Sequence, residues 1–170
     1  MDDPSDRLIN TFGALSQAVS DRVRMAIAEA FGAGGETAAA LIAIGHEPGM
    51  SIGQIRQILR LSHAGAVRVV ERLGHQGLVA KSLSPSDRRV VRVILTLRGQ
   101  DERTKLLDLR RTAIAALLDK VSPDDRVALE RAADAVLSSV FRDRDGGWAT
   151  CRLCDRARCR DCPVDRHRPL

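Results

Sequence analysis

The sequence predicts a mainly α protein: a winged helix-turn-helix with a two-stranded β wing, flanked by N- and C-terminal helices that form a dimerisation region. Three observations carry this reading. Residues 51–77 contain two short helical patterns separated by a tight break, and residues 78–96 then switch to two short runs of β-formers around a turn. Long amphipathic stripes stand on either side of this unit. The implied organisation is 1–47 as supporting and dimerising helices, 48–99 as the winged unit, 100–142 as C-terminal dimerisation helices, and 143–170 as linker and cysteine tail.

Leu8, Phe12, Leu15, Val19, Val23, Ile27 and Phe31 recur every three or four residues, which predicts a long first helix opened near Ser5 and ended by Gly32-Ala-Gly-Gly. A second helix over about Thr37 to Gly45 is nearly all alanine, leucine and isoleucine, so it is expected to be buried, and Glu47-Pro-Gly stops it. Ser51 is placed to cap a helix from Ile52 to Leu59, with Ile52, Ile55, Ile58 and Leu59 inward and Arg56 and Arg60 outward. Ser62 is a second N-cap, for a helix from His63 to a C-cap at Gly77.

In that helix Ala66, Val69, Val70 and Leu73 share the core face, which leaves Ala64, Gly65, Arg68 and Arg72 on the opposite one. Small residues at the N-terminal end allow close approach to base edges, and arginines one and two turns later reach phosphates or guanine acceptors. Ser62, His63, Ala64, Gly65, Arg68 and Arg72 are therefore the candidate DNA-reading residues of this helix. The strands 78–84 and 90–96 enclose Pro85-Ser-Asp-Arg88-Arg89, whose two arginines suit a phosphate backbone or a narrow minor groove.

Thr96 then caps a helix bearing Leu106, Leu107, Ile114, Leu117, Leu118 and Val121. Ser122-Pro-Asp-Asp opens a last helix to about Arg142, with Leu129, Ala133, Val136, Leu137, Val140 and Phe141 along one face. A domain this thin cannot cover those faces alone, so the first helix and the last two are expected to build an intertwined dimer.

Gly77-Leu78-Val79, Asp87-Arg88-Arg89 and Leu95-Thr96-Leu97-Arg98-Gly99 together resemble the pattern of MarR-type winged-helix transcription regulators, over roughly residues 5 to 142. The resemblance implies a two-fold homodimer on a pseudo-palindromic operator, with the recognition helix in the major groove and the wing arginine in the minor groove. It also implies repression relieved by a small-molecule effector, in many relatives an aromatic acid held between the dimerising and DNA-reading parts.

Composition agrees. The net charge of +5 suits a polyanion partner. At 44% hydrophobic but only 2% aromatic content, the core must be aliphatic. The acidic N-terminus lacks the order of a secretion signal, and the longest apolar run, Ala38 to Ile44, is too short to cross a bilayer, so no membrane partner and a cytoplasmic location are expected.

All four cysteines lie in one short segment as two Cys-x-x-Cys pairs, Cys151/Cys154 and Cys159/Cys162, behind a linker Arg142-Asp-Arg-Asp-Gly-Gly. Two such pairs complete the tetrahedral thiolate shell that zinc favours. Six arginines between Cys151 and Leu170 would offset the thiolate charge. Zinc is the first expectation and a four-iron, four-sulfur cluster the second. A metal-free thiol switch and a disordered tail with idle cysteines stay open, and His167 is a substitute ligand. A segment this poor in apolar residues is expected to owe its folding to metal ligation.

No phosphate loop, nucleophile elbow or His-Glu-x-x-His motif is present, and His46, His63, His75 and His167 are scattered, so no enzyme is expected. The sequence thus reads as a DNA-binding regulator, a repressor modulated by metal or redox state at the tail or by a small ligand. The alternatives are a winged-helix protein-interaction module with a structural zinc knuckle and, further off, a thiol-disulfide redox protein.

Overall fold

A computed structural model describes residues 3–32, 34–83, 91–140 and 144–164. The chain order is α1 (Asp6–Phe31), α2 (Gly35–His46), β1 (Met50–Ser51), α3 (Ile52–Leu59), α4 (His63–His75), β2 (Val79–Leu83), β3 (Val91–Leu95), α5 (Leu97–Leu118), α6 (Pro123–Val140) and α7 (Arg144–Thr150), followed by a 3-10 turn at Cys151–Leu153. The mainly α winged helix-turn-helix is as expected.

The centre of the molecule is α2. Every residue from Thr37 to Ile44 is buried, the state required of a helix that is apolar on all sides. It packs against α1, α3, α4 and α5. The inward faces of α3 and α4 close on it with Ile55, Ile58, Leu59, Val69, Val70 and Leu73. Ile52 is only half-buried.

Local chemistry fixes the boundaries. The Ser5 hydroxyl accepts the Leu8 N–H at the start of α1, and Gly32 ends it in the left-handed region. Ser51 and Gln54 exchange both bonds of a capping box at the start of α3. The exit from α4 is a Schellman turn, with Gly77 N–H on the Gly74 carbonyl at 2.9 Å and Leu78 N–H on the Leu73 carbonyl at 2.9 Å. Gly77 stands at φ 70°, the reason a glycine is needed there.

The sheet has three antiparallel strands in the order β1-β3-β2. The hairpin pairs Val79 with Leu95 through to Leu83 with Val91. The extra strand β1, with Met50 opposite Val93, was not expected from the sequence. Two residues are too few to display a strand period.

Thr96 joins the hairpin to α5. Its hydroxyl accepts the Gly99 N–H at 3.0 Å and donates to the Gly77 carbonyl at 2.7 Å. A Cβ on Gly99 would collide with the Leu78 carbonyl. The Leu-Thr-x-x-Gly signature is thus a packing device: the threonine ties the helix start to the α4 exit, and the glycine lets the backbones cross.

Two apolar faces stay open on one chain. On α1 Leu8, Ile9, Phe12 and Leu15 are exposed, and on α6 so are Val127, Leu129, Val136 and Val140. No residue of α6 is buried. The predicted stripe residue Phe141 lies outside the described residues.

Candidate nucleic-acid interface and cysteine module

The N-terminus of α4 is held by Ser62, whose Oγ accepts the Gly65 N–H at 3.1 Å. Ser62, His63, Ala64 and Arg68 are exposed, and Gly65 is half-buried. A Cβ on Gly65 would press on the Ser62 hydroxyl at 3.2 Å and on Leu61. The glycine therefore serves the cap geometry as well as offering a low profile on the outer face. Four of the predicted reading residues thus present one accessible edge, backed by Ala66, Val69, Val70 and Leu73 in the core.

Arg72 is placed differently. Its guanidinium donates to the Thr37 hydroxyl at 3.1 Å, and Thr37 is 0% exposed. The helical wheel assigns Arg72 to the outer half of α4, but its long side chain reaches back to satisfy a buried hydroxyl on α2. Arg88 and Arg89 lie outside the described residues, as does the whole stretch 84–90. On the wing stem, Arg92 and Lys81 are exposed cations the sequence reading passed over. For Arg92 the signal was present in the strand alternation, which sets it on the face opposite buried Val93, whereas Lys81 shares the face of Val79 and is exposed because it lies farther along the hairpin.

The cysteine segment departs from two expectations. The stretch read as a linker contains α7, which packs on α3. The tail also docks on the main core: Ala149 is 2% exposed, and Trp148 and Leu153 pack against the core cluster. The chain doubles back so closely that a Cβ on Gly147 would meet the Val164 side chain at 2.5 Å. Gly147, read from sequence as part of a linker, here permits a close approach. The sequence expectation named metal ligation as this segment's source of folding energy; its few apolar residues also pack against the core built by the preceding helices.

Polar contacts complete the docking. His46 Nε2 lies 2.8 Å from the Cys154 carbonyl oxygen, and Arg103 reaches His46 Nδ1 at 3.1 Å and the Ile42 carbonyl at 3.3 Å. Arg110 donates to the Cys154 sulfur at 3.7 Å. Arg156 stacks over the Trp148 ring at 5.0 Å. Burial, then the positive charges of Arg103 and Arg156, hold the His46 imidazole below its ordinary pKa against the opposing Cys154 carbonyl and Asp155. Burial likewise lowers Arg103.

Cys151 and Cys154 share a thiol–thiol hydrogen bond. That bond pushes the Cys151 thiol up, assisted by burial and by the neighbouring Cys154 and Cys162. It brings Cys154 down to about 6, with burial opposing and Arg110, Arg156 and Arg152 assisting. Cys162 is half-buried and Cys159 exposed. Among the described residues no three His, Cys, Asp or Glu side chains converge as a preformed metal site.

None of His46, Arg103 or Arg110 was singled out in the sequence as a partner of the tail. The available signal was Gly45, a glycine inside an otherwise apolar helix, where a Cβ would collide with the Arg103 side chain. A cavity of about 600 Å³ opens beside the tail, walled by Val23, Ile27, Leu59, Ile114, Arg110 and Cys154 among others. No single helix among the described residues is long and apolar enough to cross a membrane.

Residues 32–90 match the family model described as MarR family. No curated protein sequence matches the chain. Among solved structures, RV1404 from Mycobacterium tuberculosis is similar at TM-score 0.72 and 21% identity, over 82% of this chain and 97% of that one. YusO from Bacillus subtilis is similar at TM-score 0.66 and 18% identity, over 81% and 99%. The crystal structure of MarR aligns at TM-score 0.65 and 20% identity, over 76% and 96%. The expected MarR-type winged helix is therefore the fold of this chain.

Proposed function

We propose that this chain, which carries the MarR-type winged helix, acts as a homodimeric transcriptional repressor on a pseudo-palindromic operator in the cytoplasm. The observation that carries the reading is the capped N-terminus of α4, where Ser62, His63, Ala64 and Arg68 form one accessible edge on a helix otherwise anchored in the core. That edge fits a major groove, with phosphate contacts fixing register and base-edge contacts choosing sequence. The wing stem carries Lys81 and Arg92, and the sequence between its two strands contains Arg88 and Arg89, cations suited to the adjacent backbone or minor groove.

The open apolar faces of α1 and α6, which a second copy would cover, support duplication. Two recognition helices would then sit about one DNA turn, roughly 10 base pairs, apart. The cavity between α1, α2, α5 and the tail is large enough for a small organic effector, and its arginines favour an anionic one. A ligand there, or a change at the cysteines, would shift the dimer between binding and non-binding geometries.

Selection of bound duplexes from a random pool tests this reading. Enrichment of an inverted repeat with about 10 base pairs between half-site centres, bound less tightly as salt rises, is the expected result. Absence of salt-sensitive attachment to any duplex would overturn it, and retention of a protein partner in its place would favour the interaction-module alternative.

A further inference from the structure

We infer that Cys151, Cys154, Cys159 and Cys162 constitute one thiolate site for a soft divalent cation of the zinc class, seated on the rear of the DNA-reading unit. The inference does not depend on the chain binding DNA. Two of the sulfurs are already paired, since Cys151 and Cys154 are hydrogen-bonded to each other, and a third, Cys162, acts on Cys151 electrostatically without yet converging on the pair. The fourth, Cys159, is exposed at the start of the turn leading to Cys162. Asp161 in that turn stands in the left-handed region at φ 52°, a local reversal of the chain between Cys159 and Cys162. Completing a tetrahedral shell asks that Cys159 and Cys162 close on the Cys151/Cys154 pair when the ion binds.

The surroundings match the charge of such a centre. Four thiolates around a divalent ion leave two negative charges in excess. Arg110 already donates to the Cys154 sulfur, and Arg152 and Arg156 bring positive charge to it. These are the outer contacts that orient thiolate ligands and tune their affinity.

The seat is built as well. Buried Ala149, half-buried Trp148 and Leu153, and the His46 bond to the Cys154 carbonyl fix the first Cys-x-x-Cys against α2 and α3. A metal bridging both pairs would therefore fasten the end of the chain to the helices that carry the recognition element. Ligation releases the thiol protons and adds its binding free energy to the docking of this module.

The test is metal analysis of the full chain purified without oxygen, with titration by Co(II) and then Zn(II). One zinc per chain is expected, together with the visible bands of tetrahedral thiolate-bound Co(II), their loss on adding zinc, and a change in Trp148 emission on loading. Cys159→Ser removes a ligand from an exposed position, and its helical circular dichroism should match the parent. It should weaken metal binding beyond the roughly 10- to 100-fold that losing an outer-shell partner costs. Four freely titrating thiols with no bound metal, a brown chromophore with stoichiometric iron and sulfide, or unchanged affinity in Cys159→Ser would each overturn the inference. The Co(II) titration of the parent decides the matter even where the variant misfolds.

Discussion

His46 donates its Nε2 hydrogen to the Cys154 carbonyl oxygen across 2.8 Å. The direction follows from Arg103: a guanidinium has no acceptor, so His46 Nδ1, 3.1 Å from it, must accept, and the ring proton resides on Nε2. One neutral imidazole thereby connects α5, through Arg103, to the cysteine module. Removing it leaves the Cys154 carbonyl and the Arg103 donor without this partner. His46→Ala should loosen the tail by about 1 kcal/mol. Trp148 emission should shift to the red and become accessible to iodide, while His46→Gln, which keeps a donor at the Nε2 end, should restore much of the shielding. Identical Trp148 quenching in parent and His46→Ala would show that the bond does not hold the module.

Two glycines separate the packing of the winged unit from that of the tail. A Cβ at Gly99 would strike the Leu78 backbone, which cannot step aside, whereas one at Gly45 would strike mainly the flexible end of Arg103. Gly99→Ala is expected to destabilise the whole fold by about 1–3 kcal/mol, the range for forced overpacking, measured by urea unfolding. Gly45→Ala should cost less globally but displace Arg103 from His46, and so raise Trp148 accessibility. Equal effects of the two on global stability would contradict this division.

The features legible in the sequence are the ones governed by neighbours in the chain. Ser51, Ser62, Thr96 and Ser122 are caps because a hydroxyl three residues before a free N–H is a local arrangement, and each forms its expected bond. The stripe of α4 was legible for the same reason. Long-range choices were not. Arg72 lies on the outer half of a helical wheel, yet the buried Thr37 hydroxyl 35 positions away claims its guanidinium. Gly147 reads as part of a linker until Val164 is seen lying against it. His46 is one of four scattered histidines until Cys154, 108 residues later, supplies its partner.

In the proposed dimer, the open faces of α1 and α6 would make oligomeric state sensitive to single charges. Phe12 is 53% exposed and contributes nothing to the buried core of one chain, so Phe12→Asp should leave the monomer folded. Placing a carboxylate in an apolar interface without a partner is strongly unfavourable. Sedimentation at low micromolar concentration should report a dimer for the parent and a monomer for Phe12→Asp, with matching circular dichroism. A parent that sediments as a monomer would remove the dimeric reading.

Arg68 and Arg72 stand one turn apart on α4, and their surroundings assign them different work. Arg68 is exposed with its edge of the helix free to meet a groove, so Arg68→Ala should weaken operator binding and reduce the salt dependence by about one counterion. Where Arg68 meets a base edge, discrimination at that position should also fall, by about 1–3 kcal/mol. Arg72→Ala instead strands the Thr37 hydroxyl inside the core, a loss of about 1–3 kcal/mol in folding stability. Its effect on DNA affinity at a temperature where the protein stays folded should be the smaller of the two. Fluorescence anisotropy across a salt series, paired with urea unfolding, distinguishes them: a salt slope altered more by Arg72→Ala than by Arg68→Ala would reverse the assignment.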